Sequence, residues 1–144
     1  MGIVEWSEEA EGPPETVVNA VLSSEGLRRW FLGVNRIEAD TDWPAQGTRM
    51  RWWVGRRFPW KFEAHVTEDA RPLYIVTEVV TPSADSRITH RFDPLPNGRT
   101  RYTKRVEPTY RGVANRLLGP VLAVFLRRWV RAEVRRAVGL VKAP

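Results

Sequence analysis

RGVANRLLGPVLAVFLRRWVRAEVRRAVGLV, residues 111–141, runs almost to the end of the chain. Leu118, Val121, Leu122, Phe125, Trp129 and Ala132 recur there at helical spacing and make one apolar face. Arg127, Arg128, Arg131 and Arg135 fall on the other. The pattern predicts one long amphipathic helix from Arg111 to Val141. Pro120 should kink or break it near Asn115–Leu118. Phe125 and Trp129 share a face one turn apart, so both are expected to be buried against whatever the helix covers. On that expectation Trp129→Ala would cost roughly 3–5 kcal/mol.

Upstream lies the material to be covered. Strand-like segments run over Val34–Asp42, Thr48–Gly55, Trp60–Glu68, Leu73–Thr81, Arg87–Asp93 and Arg99–Glu107. Pro, Gly or Asp interrupts them at Trp43 to Gly47, Arg56 to Pro59, Asp69 to Pro72, Pro82 to Ser86 and Pro94 to Gly98. Such short connections imply an antiparallel meander. Before it, Val4 to Glu11 reads as a first strand, broken by Gly12-Pro13-Pro14. Pro14 starts a helix with the apolar stripe Val17, Val18, Val21 and Leu22. Ser24 can cap a second short helix through Leu27, Trp30, Phe31 and Leu32, which Gly33 stops. A curved antiparallel sheet with an apolar face needs a cover, and the final helix is the only element large enough. The expected class is α+β: a sheet gripping a helix, in a single domain over residues 1–144.

Composition narrows the chemistry. The 144 residues are 42% hydrophobic and 28% charged, which suits a folded core and excludes a disordered chain. No cysteine is present, so disulfides, thiol nucleophiles and iron–sulfur clusters are excluded. Two histidines make a His-based metal site improbable, and no cofactor is expected. With no signal-peptide pattern and no long apolar run, the chain reads as a cytoplasmic protein. The net charge of +6 is uneven. Residues 1–25 carry six Glu and no Lys or Arg, while residues 111–142 carry seven Arg and one Lys against the single acid Glu133. That basic tail is either a solvated face or a patch for anionic membrane or RNA, through Arg127, Arg128, Arg131 and Arg135.

Several stretches, taken in order, resemble the START-related helix-grip superfamily (SRPBCC), which includes polyketide cyclases/dehydrases, aromatase/cyclases and lipid-transfer domains. They are Gly12-Pro13-Pro14-Glu15-Thr16-Val17-Val18, Gly26-Leu27-Arg28-Arg29-Trp30, Gly47-Thr48, Arg91-Phe92-Asp93-Pro94, Asn97-Gly98-Arg99-Thr100-Arg101 and Leu117-Leu118-Gly119-Pro120. The resemblance covers nearly the whole chain. It implies a seven-stranded antiparallel sheet wrapped around the C-terminal helix, with two short helices after the first strand. It also implies a hydrophobic cavity between sheet and helix. Val18 stands where the family usually has an aromatic residue, and no residue set marks an established cyclase.

Turn positions give a trial register. It sets Trp52 opposite Phe62, Phe62 opposite Glu78, Glu78 opposite His90 and His90 opposite Lys104. An aromatic-rich inner face results, with Trp52, Trp60, Phe62, Tyr74, Phe92 and Tyr102, while Ile75 and Val79 lie outside. The aromatics either stack on a ring-bearing ligand or fill the core. Phe125 and Trp129 of the helix complete the candidate ligand-binding set. Glu78, His90 and Lys104 form one ionisable row on this surface and are the candidate catalytic residues. The row either orients a carbonyl or phenol, with His90 as acid or base, or satisfies only itself.

The leading functional expectation is binding or carriage of a hydrophobic small molecule: a lipid, polyketide or aromatic compound. Rival readings are a polyketide cyclase/dehydratase-type enzyme, drawing on Tyr74 or Tyr102, and a basic module for anionic membrane or RNA.

Overall fold

The breaks at Trp43 to Gly47, Asp69 to Pro72 and Pro94 to Gly98 hold turns, whereas a strand already begins at Ala84, inside the expected break Pro82 to Ser86. A computed structural model describes residues 2–57, 59–82 and 84–141. The expected turns over Arg56 to Pro59 and Pro82 to Ser86 include Phe58 and Ser83, which lie outside the described residues, as does Lys142 of the basic tail. The elements are β1 (Val4–Ala10), α1 (Pro14–Leu22), α2 (Ser24–Trp30), β2 (Val34–Ala39), β3 (Arg49–Val54), β4 (Trp60–Ala70), β5 (Tyr74–Val80), β6 (Ala84–Pro94), β7 (Thr100–Tyr110), α3 (Val113–Leu117) and α4 (Gly119–Gly139). The strands form one antiparallel sheet in the order β1-β7-β6-β5-β4-β3-β2. This is the α+β helix-grip architecture. The first strand closes one edge by pairing with the last.

Local sequence chemistry sets the helix ends. Ser23, rather than Ser24, caps α2, its Oγ accepting from the Gly26 amide at 2.9 Å. Gly26 is required there: a Cβ would come within 2.0 Å of the Ala20 carbonyl oxygen, so α1 and α2 meet backbone to backbone. Pro120 breaks the tail as expected. It lies in the first turn of α4, and the chain leaves helical form between α3 and α4 at Leu118.

The core joins the inner face of the sheet to α1, α2 and the second half of α4. Val17 and Val21 of α1, Leu27 and Trp30 of α2, and Val130, Val134 and Ala137 of α4 are all buried. Val66, Ile75, Phe92 and Tyr102 face them from the sheet. The first half of α4 behaves differently. Phe125 and Trp129 are 61% and 53% exposed, which overturns the expectation that they are buried against the sheet. The helix is anchored by Val130 and the residues beyond it, so its N-terminal turns stand away from the strands.

The trial register holds for two strand pairs and fails for two. Trp52 faces Phe62 and His90 faces Lys104, as expected. His90, however, faces Ile75 rather than Glu78, a slip of three residues. The cause is a tight turn: the Thr81 amide and hydroxyl both donate to the Ala84 carbonyl, at 2.9 and 3.0 Å, so β6 begins at Ala84 rather than Arg87. Glu78 likewise faces His65 rather than Phe62, with a bulge between Val66 and Glu68. An odd slip exchanges the faces of a strand. Ile75, Thr77 and Val79 therefore point inward, while Tyr74, Glu78 and Val80 point out.

Candidate functional site

Between the sheet and the raised half of α4 lies a cavity of about 630 Å3. One wall is aromatic. Trp52 stacks on Phe62 with centroids 5.5 Å apart, and Phe31 meets both edge-on at 5.9 and 5.3 Å. Trp129 of α4 approaches Phe31 edge-on at 5.9 Å and Phe125 lies one turn earlier, so the helix supplies the facing side. Trp60 lines the cavity with more than half its surface exposed, which puts it at the rim. Phe31 follows α2 directly. There Trp30 is held by its indole N–H donating to the Val21 carbonyl at 3.0 Å.

The charged and imidazole part of the lining is His90, Lys104 and Glu133, and Thr77, Thr81, Ser86 and Tyr110 add hydroxyls. Lys104 Nζ donates to Glu133 Oε1 at 2.9 Å, both side chains being about 5% exposed. The ammonium also sits 4.9 Å from the centre of the Trp30 ring, a cation–π contact. Beside this pair, His90 Nδ1 and the Tyr102 hydroxyl are 2.7 Å apart. Tyr102 is stacked in turn on Phe92 at 5.4 Å. Burial, and then the positive charge of Lys104, hold the His90 imidazole well below its ordinary value. Burial and the Glu133 carboxylate push the Tyr102 hydroxyl well above its own. At neutral pH the site is thus a neutral imidazole on a protonated phenol, next to a buried ion pair. Nδ1 is occupied by Tyr102, which leaves Nε2 as the ring nitrogen open to a ligand.

The sequence-derived set divides accordingly. Trp52, Trp60, Phe62, Phe125 and Trp129 line the cavity, together with His90 and Lys104. Four residues do not. Phe92 is fully buried core, and Tyr102 lies behind His90 rather than on the cavity surface. Tyr74 is on the outer face, where its hydroxyl donates to Glu68. Glu78 is exposed on the same outer face, so the row Glu78–His90–Lys104 does not form. Its acidic place is taken by Glu133, from α4. One signal in the sequence marks that residue: it is the lone acid of the basic tail, and it falls at helical spacing between Trp129, Val130 and Ala137. Four of the arginines proposed for a partner also separate. Arg135 pairs with Glu8 at 3.1 Å and Arg131 covers the Trp6 ring at 4.9 Å, whereas Arg127 and Arg128 are not ion-paired among the described residues. Among the described residues no cluster of three acidic or histidine side chains is arranged to hold a metal ion.

The sequence matches the family model described as "Polyketide cyclase / dehydrase and lipid transport" over residues 1–143. No curated protein matches it. Similar solved structures include the Zhui aromatase/cyclase of Streptomyces sp. R1128, at 16% identity and a TM-score of 0.77, covering 96% of this chain and 92% of that one. A protein of Thermus thermophilus superposes with a TM-score of 0.76 at 18% identity, over 95% of this chain and 94% of its own. A Helicobacter pylori protein gives 0.76 at 14% identity, over 97% and 88%. At these identities the likeness is one of fold.

Proposed function

Because the chain belongs to the polyketide cyclase/dehydrase and lipid-transport family, we propose that it binds and carries a hydrophobic, ring-bearing small molecule in the cavity under α4. The observation that carries this reading is the cavity itself. Its volume of about 630 Å3 is within the range of small-molecule sites, and its wall is aromatic with a few converging polar groups. The ring system lies against Phe31, Trp52, Phe62 and Trp129. An oxygen of the ligand meets His90 Nε2. The test is uptake of the apolar fluorophore Nile red and its displacement by polycyclic phenols or ketones. Ile88→Trp, placed on the cavity floor, should abolish uptake. Unchanged uptake in that variant refutes the reading.

A second reading, catalysis of the cyclase/dehydratase kind, is favoured by one arrangement: the neutral His90 imidazole backed by Tyr102 and flanked by Lys104–Glu133. With Nδ1–H donating to the Tyr102 oxygen, the free lone pair on Nε2 can accept a proton from a carbon next to a ligand carbonyl. Under this reading His90→Gln removes turnover of an aromatic polyketide substrate while Nile red uptake persists. Turnover that survives the substitution refutes it.

A further inference from the structure

The surface beside the cavity is unusually apolar. On α3, Val113 and Leu117 are exposed, and on α4 so are Val121, Phe125 and Trp129, with Leu118 at the break between the helices. Leu118, Val121, Phe125 and Trp129 recur at spacings of three and four, so they form one stripe along the helix. Trp60 stands exposed elsewhere on the rim of the same cavity. Phe125 and Trp129 also line the cavity, so the stripe runs up to it; large apolar side chains gathered in one stripe mark a contact surface, unlike apolar residues scattered singly.

Charge identifies the partner. Between Glu107 and Glu133 there is no acidic residue, but five arginines: Arg111, Arg116, Arg127, Arg128 and Arg131. Arg128 borders the stripe, Arg116 lies on α3, and Arg56 and Arg57 occupy the turn before Trp60. Among the described residues, none of these four is ion-paired. Arg131 and Arg135 are engaged by Trp6 and Glu8, and Arg127 lies across α4 from Phe125, so the basic patch is narrower than the tail sequence suggests. We propose that this rim docks on an anionic lipid surface, the α3–α4 stripe entering at headgroup depth and the arginines meeting lipid phosphates. Tryptophans beside arginines are suited to that boundary. No helix among the described residues is long and apolar enough to cross a membrane, so α4 lies on the surface. A second copy is disfavoured because two equally basic faces would meet. RNA is disfavoured because the apolar stripe offers phosphates nothing. Given the carrier function proposed above, docking sets the cavity against the bilayer, and an apolar cargo crosses without entering water.

The test uses the full chain with vesicles of phosphatidylcholine, alone or mixed with phosphatidylglycerol, read by flotation. Binding to the mixed vesicles should exceed binding to phosphatidylcholine alone by about tenfold or more and weaken with salt. Leu117→Glu with Val121→Glu should abolish it. Neither residue lines the cavity, so Nile red uptake in solution should be unchanged; Leu117→Ser with Val121→Ser is the milder pair, and thermal melting reports folding. Arg56→Glu with Arg128→Glu should weaken binding about tenfold or more. Equal binding to both vesicles, or full binding by the Leu117/Val121 variants, overturns the proposal. So does a wild-type dimer that these substitutions dissociate in the absence of any vesicle binding, or RNA binding without vesicle binding. Vesicle docking without Nile red uptake supports the lipid surface and refutes the cavity reading instead.

Discussion

Glu133→Gln leaves the Lys104 ammonium buried without its counter-charge. Nζ and Oε1 are 2.9 Å apart, and the two side chains are 5% and 6% exposed. With an effective dielectric of about 20, their attraction is about 6 kcal/mol. Lost hydration offsets several kcal/mol for each ion, so the intact pair contributes little net stability. Breaking it is another matter: the surviving charge keeps its desolvation cost and retains only the Trp30 ring face at 4.9 Å. Glu133→Gln should therefore destabilise the protein by about 3–5 kcal/mol. Lys104→Met should do the same by stranding the carboxylate. The double variant removes both charges and should return to within about 1–2 kcal/mol of wild type. Urea unfolding at constant m-value measures all three. A single-variant change below about 0.5 kcal/mol, or a double variant that costs the sum of the two, refutes the buried pair. A nuclear magnetic resonance titration gives an independent reading: Lys104→Met should raise the His90 pKa, because it deletes a charge that depresses it.

Unfolding returns His90 to about 6.5, so below that pH the unfolded chain binds a proton that the folded chain refuses. The stability tied to this group is complete above pH ~6.5 and falls as the pH drops, by at most about 1.4 kcal/mol per unit; in His90→Gln that part of the slope should vanish, and an unaltered slope in urea unfolding contradicts the burial. Trp129→Ala should cost less than about 2 kcal/mol yet weaken Nile red uptake, whereas Phe92→Ala, which removes a fully enclosed ring, should cost about 3–5 kcal/mol; the reverse order of stabilities would return Trp129 to the core. Glu78→Ala should shift stability by under about 0.5 kcal/mol and leave uptake as in wild type, and a clear loss of uptake would bring Glu78 back to the cavity.

Much of the architecture was legible in local chemistry. Pro14 and Pro120 start helices through their own backbone restriction, whatever the rest of the chain does, whereas α2 ends at Trp30 with Phe31 extended, before Leu32 and the expected stop at Gly33. Helical spacing located the final helix, and strand alternation located most of the meander, because those periods belong to single elements. The inner-face assignments of Trp52, Phe62, His90 and Lys104 followed, since their register hangs on the adjacent turns alone. Glu78 shows where such reasoning ends. Its face depended on the Thr81–Ala84 turn and on the bulge in β4, and one odd slip carried it to solvent.

The sequence by itself determined the order of elements, the aromatic inner face and the antiparallel meander, because each is encoded by residues near one another in the chain. Only the tertiary structure decided what completes the polar end of the cavity and what opens it. Glu133 reaches Lys104 across 29 positions of sequence, and no local pattern specifies that meeting. Phe125 and Trp129 carry the same helical spacing as core residues, yet they are exposed. Spacing says which side of a helix is apolar; the anchoring of Val130, Val134 and Ala137 says how far along its length that side is pressed onto the sheet. Where the pressing stops, the cavity begins.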